Sequence, residues 1–234
     1  MLEPRPVMRV LGIETSSRRG SVALWEDGRP VASLAHEQPH AHAEQMLPLV
    51  KSVLAEAGWD RQSLDRVAAG IGPGSFTGLR VGIALAQGIA LGLERPLVGV
   101  PSLQSMARAV PTAIPGPRCA VVDARRGEVF CALYASQGAE LGGALALPRG
   151  AALIRIEGLS GGEDVLLVGE AAAELGGRTV FRSEESDLPH ARWTAEIGAE
   201  LGVAEAPATP LYVREPDAIK PDLPPSPLED PRKN

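Results

Sequence analysis

The first residues that could do chemistry form a glycine-rich segment, residues 72–78, with the sequence GPGSFTG. Glycines let a backbone approach a ligand, and free amides at the start of a helix attract anions. The Gly-Lys-Ser/Thr ending of a Walker loop is missing, the dinucleotide-binding spacing fails, and Pro73 stands where a nucleophile elbow needs glycine. The segment therefore predicts either a tight turn, with Ser75 or Thr77 capping a helix, or an anion site.

A second polar group, Glu14, Thr15 and Ser16, ends the first apolar run of the chain. In actin-like and sugar-kinase-like folds a hairpin at this place cradles nucleotide phosphates beside an acidic, metal-holding residue, a part that Glu14 could play. A polar hairpin turn explains the same residues. The candidate anion or nucleotide site comprises Glu14, Thr15, Ser16, Gly74 and Ser75.

Three histidines, His36, His40 and His42, lie close together in sequence. The first two would suit a metal ion only on a continuous helix, which Pro39 disfavours. We therefore expect no metal site, and interpret the histidines as the polar start of a helix in which Glu44 favours the helix dipole. No residue of the sequence is predicted to be catalytic.

The elements that must position these residues follow from hydrophobic runs and turn signals. The first half predicts three antiparallel strands, at 9–14, 20–25 and 30–37, with a hairpin turn at Asp27-Gly28. Helices at 42–57 and 79–93 then alternate with strands at 66–71 and 96–100. The second half predicts strands at 118–123, 128–134, 164–168 and 178–182 and helices at 170–175 and 193–201, and leaves residues 136–162 poorly patterned. The sequence thus indicates an α/β fold with a lobe at 8–110 and a second lobe at 111–214, and it predicts a disordered, proline-rich tail at 215–234.

The two helices of the first half carry too many apolar and small residues for a single buried stripe. In the second helix, small residues recur every four positions on two faces, at 78, 82, 86 and 90 and at 84, 88 and 92. Glycine costs a helix interior up to about 1 kcal/mol, so another backbone must approach closely. We predict a helix-on-helix partner surface, with coverage by the second lobe as the alternative. The predicted partner-binding residues are Met46, Leu47, Val50, Val53, Leu54, Val81, Gly82, Leu85, Ala86 and Ile89.

Composition limits the class of protein. A net charge of −6 and an aromatic content of 3% disfavour autonomous nucleic-acid binding, which needs a basic footprint or stacking platforms. The start of the chain does not resemble a signal peptide, and the apolar run 79–93 is shorter than the roughly 20 residues of a membrane span. Cys119 and Cys131 are expected to be free, buried thiols of a cytoplasmic protein.

Several of these segments together resemble the bacterial TsaB (YeaZ) family. The resemblance covers about residues 8–214, and two positions depart from the family pattern: Glu14 stands where aspartate is common, and Ala43 where serine is common. The matching segments are GIETS at 12–16, HAEQMLP at 42–48, GPGSFTGLRVG at 72–82, DARRGEVF at 123–130 and PLYVR at 210–214.

The resemblance implies an ASKHA fold (actin-like, Hsp70-like, ribonuclease H-like) of two lobes with mixed sheets. It implies a non-catalytic subunit needed to make threonylcarbamoyladenosine (t6A) at position 37 of tRNAs that read ANN codons. The catalytic relative TsaD and the ATPase TsaE would be its partners, with a homodimer when the chain is alone and tRNA reached only through the complex. No cofactor is required by the chain itself, and ATP is expected only in the complex.

Two rival functions, a peptidase-like enzyme and an ATP-dependent small-molecule kinase of the same superfamily, remain. The chain has neither a Ser-His-Asp signature nor an H-E-x-x-H motif, and its second half has no clear adenosine or phosphate motif. We expect the purified chain alone to turn over neither ATP nor peptide, and to form a stable complex with TsaD. Val81→Arg or Leu47→Asp should abolish that pairing and leave the lobe folded.

Overall fold

The structure, a computed structural model, describes residues 7–38, 40–176 and 179–214. The predicted tail at 215–234, and Pro39, lie outside the described residues. The strands are β1 (Arg9–Glu14), β2 (Gly20–Glu26), β3 (Arg29–His36), β4 (Arg66–Gly70), β5 (Leu97–Val100), β6 (Arg118–Arg125), β7 (Glu128–Tyr134), β8 (Glu140–Pro148), β9 (Leu166–Val168) and β10 (Val180–Phe181). The helices are α1 (His42–Ala57), α2 (Phe76–Leu93), α3 (Ser102–Arg108), α4 (Arg149–Ser160) and α5 (Ala191–Glu200), with short 3-10 helices at Arg61–Ser63 and Glu170–Glu174.

The ten strands of the described residues form two five-stranded sheets with the same topology. The first has the order β3-β2-β1-β4-β5, and the second the corresponding order β8-β7-β6-β9-β10. In each sheet the first three strands are antiparallel and the last two join in parallel. The predicted α/β fold with mixed sheets is confirmed.

The opening meander and α1 follow the sequence signals closely. Asp27 and Gly28 both have positive φ, 41° and 89°, as a two-residue hairpin turn between β2 and β3 requires. The helix α1 has the predicted bounds and ends at Gly58, whose left-handed conformation (φ 66°) caps it. Local chemistry thus specifies these elements.

The inner strands β1 and β4 of the first sheet are buried on both faces, which explains their continuous apolar sequences, whereas the edge strand β3 is largely exposed. In β1, Leu11 and Ile13 join the core beneath α1 and α2. Val10, which alternates with them along the strand, faces the other side of the sheet and joins the core beneath α5. The contact with α5 is close, because a methyl group on Gly12 would lie 2.4 Å from the carbonyl oxygen of Ala191.

The second sheet is covered by α3 on one face and by α4 on the other. Cys119 and Cys131 are free and buried in the core beneath α4, as predicted. Two helices cross between the halves of the chain: α3 packs on the second sheet and α5 on the first. The division into lobes at residues 110 and 111 therefore stays a prediction.

Sequence patterns missed α3, β8, α4 and the short 3-10 helix at Arg61–Ser63. The helix α3 is only seven residues long, too short for a periodic pattern. The strand β8 is an edge strand of mostly small residues, and α4 leaves Ile154 72% exposed, so neither has a clear apolar face. The predicted helix at 170–175 is instead a 3-10 helix at Glu170–Glu174, and Arg178, the predicted start of the last strand, lies outside the described residues.

The helix α2 begins three residues earlier than predicted and is 18 residues long. By length and composition alone it is long and apolar enough to cross a membrane. This corrects the sequence-based expectation that the apolar run at 79–93 is too short for a membrane span. About one third of it is buried within the protein, on the face that packs on the first sheet. A helix in a soluble protein's core meets the same criterion, so this single helix is weak evidence for a membrane.

Candidate functional site

The glycine-rich segment enters α2 as a tight turn. Ser75 caps the helix, because its Oγ accepts a hydrogen bond from the amide of Gly78 at 3.2 Å. Its own amide donates to the carbonyl oxygen of Ser16 at 2.7 Å. The predicted serine cap is confirmed. The hydrogen bond from the Ser75 amide connects the loop to the turn that follows β1.

Thr15 lies against the start of α2 and explains the glycines there. Its hydroxyl donates to the carbonyl oxygen of Gly78 at 2.8 Å. A methyl group on Gly78 would lie 2.2 Å from the carbonyl oxygen of Thr15, and one on Gly82 only 2.1 Å from its hydroxyl oxygen. Contacts this short do not occur in proteins, so glycine is needed at both positions for the end of β1 to reach the helix.

Glu14 is completely buried behind this contact. One carboxylate oxygen accepts from the amide of Ser16 at 2.8 Å and the other from the hydroxyl of Ser102 at 2.9 Å. The pKa of Glu14 is raised, because burial disfavours the charged carboxylate more than these hydrogen bonds favour it. Gly70 makes room for it, since a methyl group there would lie 2.0 Å from a carboxylate oxygen.

The structure therefore brings the five predicted anion-site residues together, but packs them on one another. Glu14, Thr15 and Ser16 are at most 3% exposed. A methyl group on Gly74 would lie 2.1 Å from the carbonyl oxygen of Ser16, so the loop and the hairpin are in contact. An anion would reach Glu14 only after this contact opened, and anion binding here stays a prediction.

The predicted partner-binding residues divide into two groups. Five of them are at most 5% exposed or lie against Thr15, and they form the protein's own core. A side chain in that position does not reach another chain, so the prediction was too broad: periodicity alone does not separate a sheet-facing from a partner-facing stripe. These five are Met46, Val50, Val53, Gly82 and Ala86.

The other five residues lie at or near the surface of the helix pair. Leu47 is 44% exposed, and Val81 is partly buried. The remaining three, Leu54, Leu85 and Ile89, are partly buried at the edge of the core beneath α1 and α2. Their role in partner binding stays a prediction. Around them on α2 lie further exposed residues that were not assigned to the site, namely Ala84, Gly88, Leu91 and Gly92. We call Leu47, Leu54, Val81, Leu85 and Ile89 with these four the outer helix face.

The outer helix face is apolar and open. Leu91 is 82% exposed, the largest value among the exposed large apolar side chains in the described part of the chain. A methyl group on Gly88 or Gly92 would meet no other atom within 4 Å, apart from the helix's own backbone. The second small-residue stripe thus has no packing partner within the described residues, although its four-residue spacing was visible in the sequence.

The segment after α5 runs back across the edge of the first sheet. The amide of Gly99 donates to the carbonyl oxygen of Ala206, and the amide of Leu211 to that of Ile71, both at 2.8 Å. A cavity of about 320 Å³ lies beneath this segment, beside Gln104 and Glu205. The candidate anion and partner residues do not line it.

Two exposed aromatic rings meet where that segment reaches α2. The rings of Phe76 and Tyr212 lie 5.3 Å apart between centroids. Arg80 stacks on Phe76 and donates to the hydroxyl of Tyr212 at 3.1 Å. Residues 210–214, one of the family-like segments, thus fix the end of the described chain to the first turn of α2.

The histidines are split between two elements rather than placed on one helix. His36 ends β3, His40 lies in the turn, and His42 begins α1. Nε2 of His36 lies 3.2 Å from Nδ1 of His42. The pKa of His36 is lowered by burial and by the neighbouring His42 ring. Among the described residues, no group of three His, Cys, Asp or Glu side chains could hold a metal ion.

Comparison with known proteins extends these observations. The family model described as TsaD, tRNA N6-adenosine threonylcarbamoyltransferase, matches residues 34–174. The chain is 43% identical to the tRNA threonylcarbamoyladenosine biosynthesis protein TsaB of Escherichia coli (strain K12), over 54% of this chain and 55% of the relative. It is 33% identical to the TsaB of Bacillus subtilis (strain 168), over 54% of this chain and 55% of that one. The matched part is thus about half the length of these curated relatives.

Solved structures match over more of the chain. YeaZ from Pseudomonas aeruginosa superposes with a TM-score of 0.71 and 31% identity, covering 88% of this chain and 99% of that one. The activator of the 2-hydroxyisocaproyl-CoA dehydratase from Clostridium difficile, solved with bound ADPNP, gives a TM-score of 0.53 at 13% identity, with 82% and 95% covered. The second similarity concerns the fold alone.

Proposed function

Because this chain belongs to the TsaB (YeaZ) family, we propose that it is a non-catalytic subunit of a tRNA-modifying assembly. The assembly would transfer a threonylcarbamoyl group to adenosine 37 of tRNAs that read ANN codons. The names of the relatives, which describe threonylcarbamoyladenosine biosynthesis, support the pathway. The two halves of the proposal, a role in assembly and no reaction of its own, have separate support in the molecule.

The contact between the turn after β1 and the glycine-rich loop supports the inference that the chain catalyses no reaction by itself. The residues that would face a nucleotide are hydrogen-bonded to each other: Thr15 to Gly78, and Ser75 to Ser16. Glu14 is fully enclosed, and its two carboxylate oxygens already accept hydrogen bonds from Ser16 and Ser102, so neither faces a site where a metal ion could bridge to a phosphate. The chain keeps the outline of a nucleotide-binding fold, and its hairpin serves to position α2.

The role in assembly rests chiefly on the outer helix face, the observation that carries the proposal. Small residues with open space beside them let a second helix approach closely, and exposed leucines around them supply apolar area. We assign this face to TsaD in the working complex and to a second copy of the chain when TsaD is absent. TsaE and ATP would join the heterodimer, and the net charge of −6 favours a tRNA contact made mainly by the partners.

We place this assembly in the cytoplasm. Two free thiols in the core, Cys119 and Cys131, are the usual state of cysteine in a reducing compartment. Docking of α2 on TsaD would cover the apolar face that makes this helix resemble a membrane span in composition.

Reconstitution tests the proposal. Purified TsaD and TsaE are mixed with unmodified tRNA, ATP and a threonylcarbamoyl donor, with and without this chain, and t6A is measured by nucleoside mass spectrometry. We expect modification only when the chain is present, and no ATP turnover or peptide cleavage by the chain alone. Equal modification without the chain, or ATP turnover by the chain alone, would overturn the proposal.

Variants that place a charge on the outer helix face test its role, and a variant with the same charge on α4 serves as the control. Leu91→Asp, and the Leu47→Asp and Val81→Arg variants suggested by the sequence, should lower t6A formation at least tenfold at limiting chain concentration. Ile154→Asp places the same charge on α4, where the side chain is 72% exposed, and should leave t6A formation unchanged. A restored yield at high concentration of Leu91→Asp would indicate weakened docking rather than lost folding.

A further inference from the structure

The guanidinium of Arg80 is held in place at the N-terminal end of α2. Its Cζ atom lies 3.7 Å from the centroid of the Phe76 ring, and its Nε donates to the hydroxyl of Tyr212 at 3.1 Å. The Tyr212 ring in turn lies 5.3 Å from the Phe76 ring. A side chain that is already fixed by a ring and a hydrogen bond loses little further entropy when it binds, so Arg80 is preorganised for a ligand.

The two terminal nitrogens of Arg80 are the part of the group that these contacts leave open. In the described part of the chain neither of them donates to an acceptor, although Arg80 is exposed. Other exposed arginines are paired with carboxylates, as Arg18 is with Glu170 and Arg182 with Asp187. The edge formed by two terminal guanidinium nitrogens matches a carboxylate with two parallel hydrogen bonds. Arg80 therefore presents such an edge to a group outside the described chain.

Arg80 is aligned with the apolar part of the outer helix face. Leu91, which is 82% exposed, follows it by eleven residues. Because this interval is about three helical turns, the two side chains lie on the same side of α2, roughly 16 Å apart along the axis. Ala84 lies one turn beyond Arg80 and is exposed as well. A partner helix that covers Leu91 and Ala84 would thus meet Arg80 at one end.

The surroundings of Arg80 favour a protein ligand over RNA. A phosphate would also suit a guanidinium, but Arg80 covers one face of the Phe76 ring and the Tyr212 ring lies against it, so these rings are poorly placed to stack on bases. Phe76 and Tyr212 are 41% and 43% exposed, and aromatic residues beside an arginine are typical of the residues that contribute most to protein–protein binding. The apolar outer helix face begins one turn away.

We propose that Arg80, held by Phe76 and Tyr212, binds an aspartate or glutamate side chain of the protein that docks on the outer helix face. This inference rests on the proposed function, because it uses the docking surface that we assign to TsaD. Charged contacts fix register and orientation in an interface more than they add affinity. An ion pair at one end of an otherwise apolar face would therefore set the direction in which the partner helix lies.

The test is isothermal titration of TsaD with the full chain and its variants at several salt concentrations. Arg80→Met keeps an unbranched side chain against Phe76 and removes the charge, so binding should weaken about tenfold and depend less on salt. Tyr212→Phe removes only the hydroxyl that orients Nε and should weaken binding about threefold. Arg155→Met removes the same charge from an exposed position of α4, and should change neither the affinity nor its salt dependence.

Leu91→Asp in the same titration separates this inference from the proposed function. If Leu91→Asp weakens binding and a folded Arg80→Met chain binds as the unchanged chain does, the ion pair is wrong and the docking surface stands. If neither variant changes the affinity, both are wrong. An Arg80→Met chain that binds TsaD normally but lowers the affinity of the assembled complex for tRNA would assign Arg80 to a phosphate and overturn the proposal.

Discussion

The helix α2 has two glycine pairs on different faces. On the inner face, which packs on the first sheet, Gly78 and Gly82 are in close contact with Thr15, whereas on the outer face a methyl group on Gly88 or Gly92 would contact no other part of the described chain. The four glycines have the same four-residue spacing in sequence, and each costs the helix up to about 1 kcal/mol. On the inner face the close approach of β1 offsets this cost. On the outer face nothing within the described chain offsets it, which is why we infer that another helix does so in the assembly.

The largest effect on stability is expected from the inner face. In Gly82→Ala the new methyl group would lie 2.1 Å from the hydroxyl oxygen of Thr15, and the end of β1 would have to move. Overpacking of this kind costs about 2 to 3 kcal/mol. We expect a corresponding loss in the free energy of unfolding, measured by urea titration with tryptophan fluorescence.

Removing the obstructing side chain provides the control. Thr15→Ala deletes the hydroxyl and should itself destabilise the protein, yet the double variant should be more stable than the two separate losses predict. Strictly additive losses would contradict the assignment of Gly82 to the Thr15 contact.

The second prediction concerns the buried carboxyl group behind that contact. Because the pKa of Glu14 is raised in the folded state, the folded protein holds this proton more tightly than the unfolded chain, whose Glu pKa is about 4.3. The group's contribution is fully present below that unfolded value. It is lost as the pH rises through the folded pKa, by up to about 1.4 kcal/mol per pH unit within this window.

Glu14→Gln isolates this contribution, since glutamine does not ionise. The stability difference between the variant and the unchanged chain should shift in favour of the variant as the pH rises from 4 to 7. Urea titrations at several pH values measure it, and a difference that is constant with pH would show that Glu14 has an ordinary pKa.

The smallest effect belongs to the outer face. Gly88→Ala adds a methyl group with no neighbour within 4 Å and improves helix propensity, so it should stabilise the isolated chain by about 1 kcal/mol. The same substitution that is harmful at position 82 should thus be beneficial at position 88. Thermal unfolding of both variants checks this sign, and destabilisation by Gly88→Ala would indicate that the outer face is covered within the chain.

The sequence predicted what local chemistry determines. The bounds of α1, the hairpin at Asp27-Gly28 and the cap by Ser75 depend on residues a few positions apart, and the structure confirms them. The elements missed include the short α3 and the Gly/Ala-rich β8 and α4, whose small residues give no clear periodicity.

The candidate sites depended on long-range contacts, and there the predictions were incomplete. Thr15 and Gly78 are 63 residues apart in sequence, so the closure of the hairpin on the loop was not visible in either segment. For α1 and α2 the apolar pattern was correct, but Met46 and Val50 proved to be core residues. The meeting of His36 and His42 depends on the turn between β3 and α1, which a search for helical spacing does not detect.

The central claim is that the outer helix face is the docking surface. The most direct test measures the affinity for TsaD of two variants, one with a bulky charged side chain on α2 and one with the same side chain on α4. Isothermal titration of TsaD with Gly88→Arg should show binding weakened at least a hundredfold, as expected when a side chain fills the centre of a helix–helix contact. Ile154→Arg, on the exposed side of α4, should bind within about twofold of the unchanged chain. Unchanged affinity of a folded Gly88→Arg chain would contradict the account.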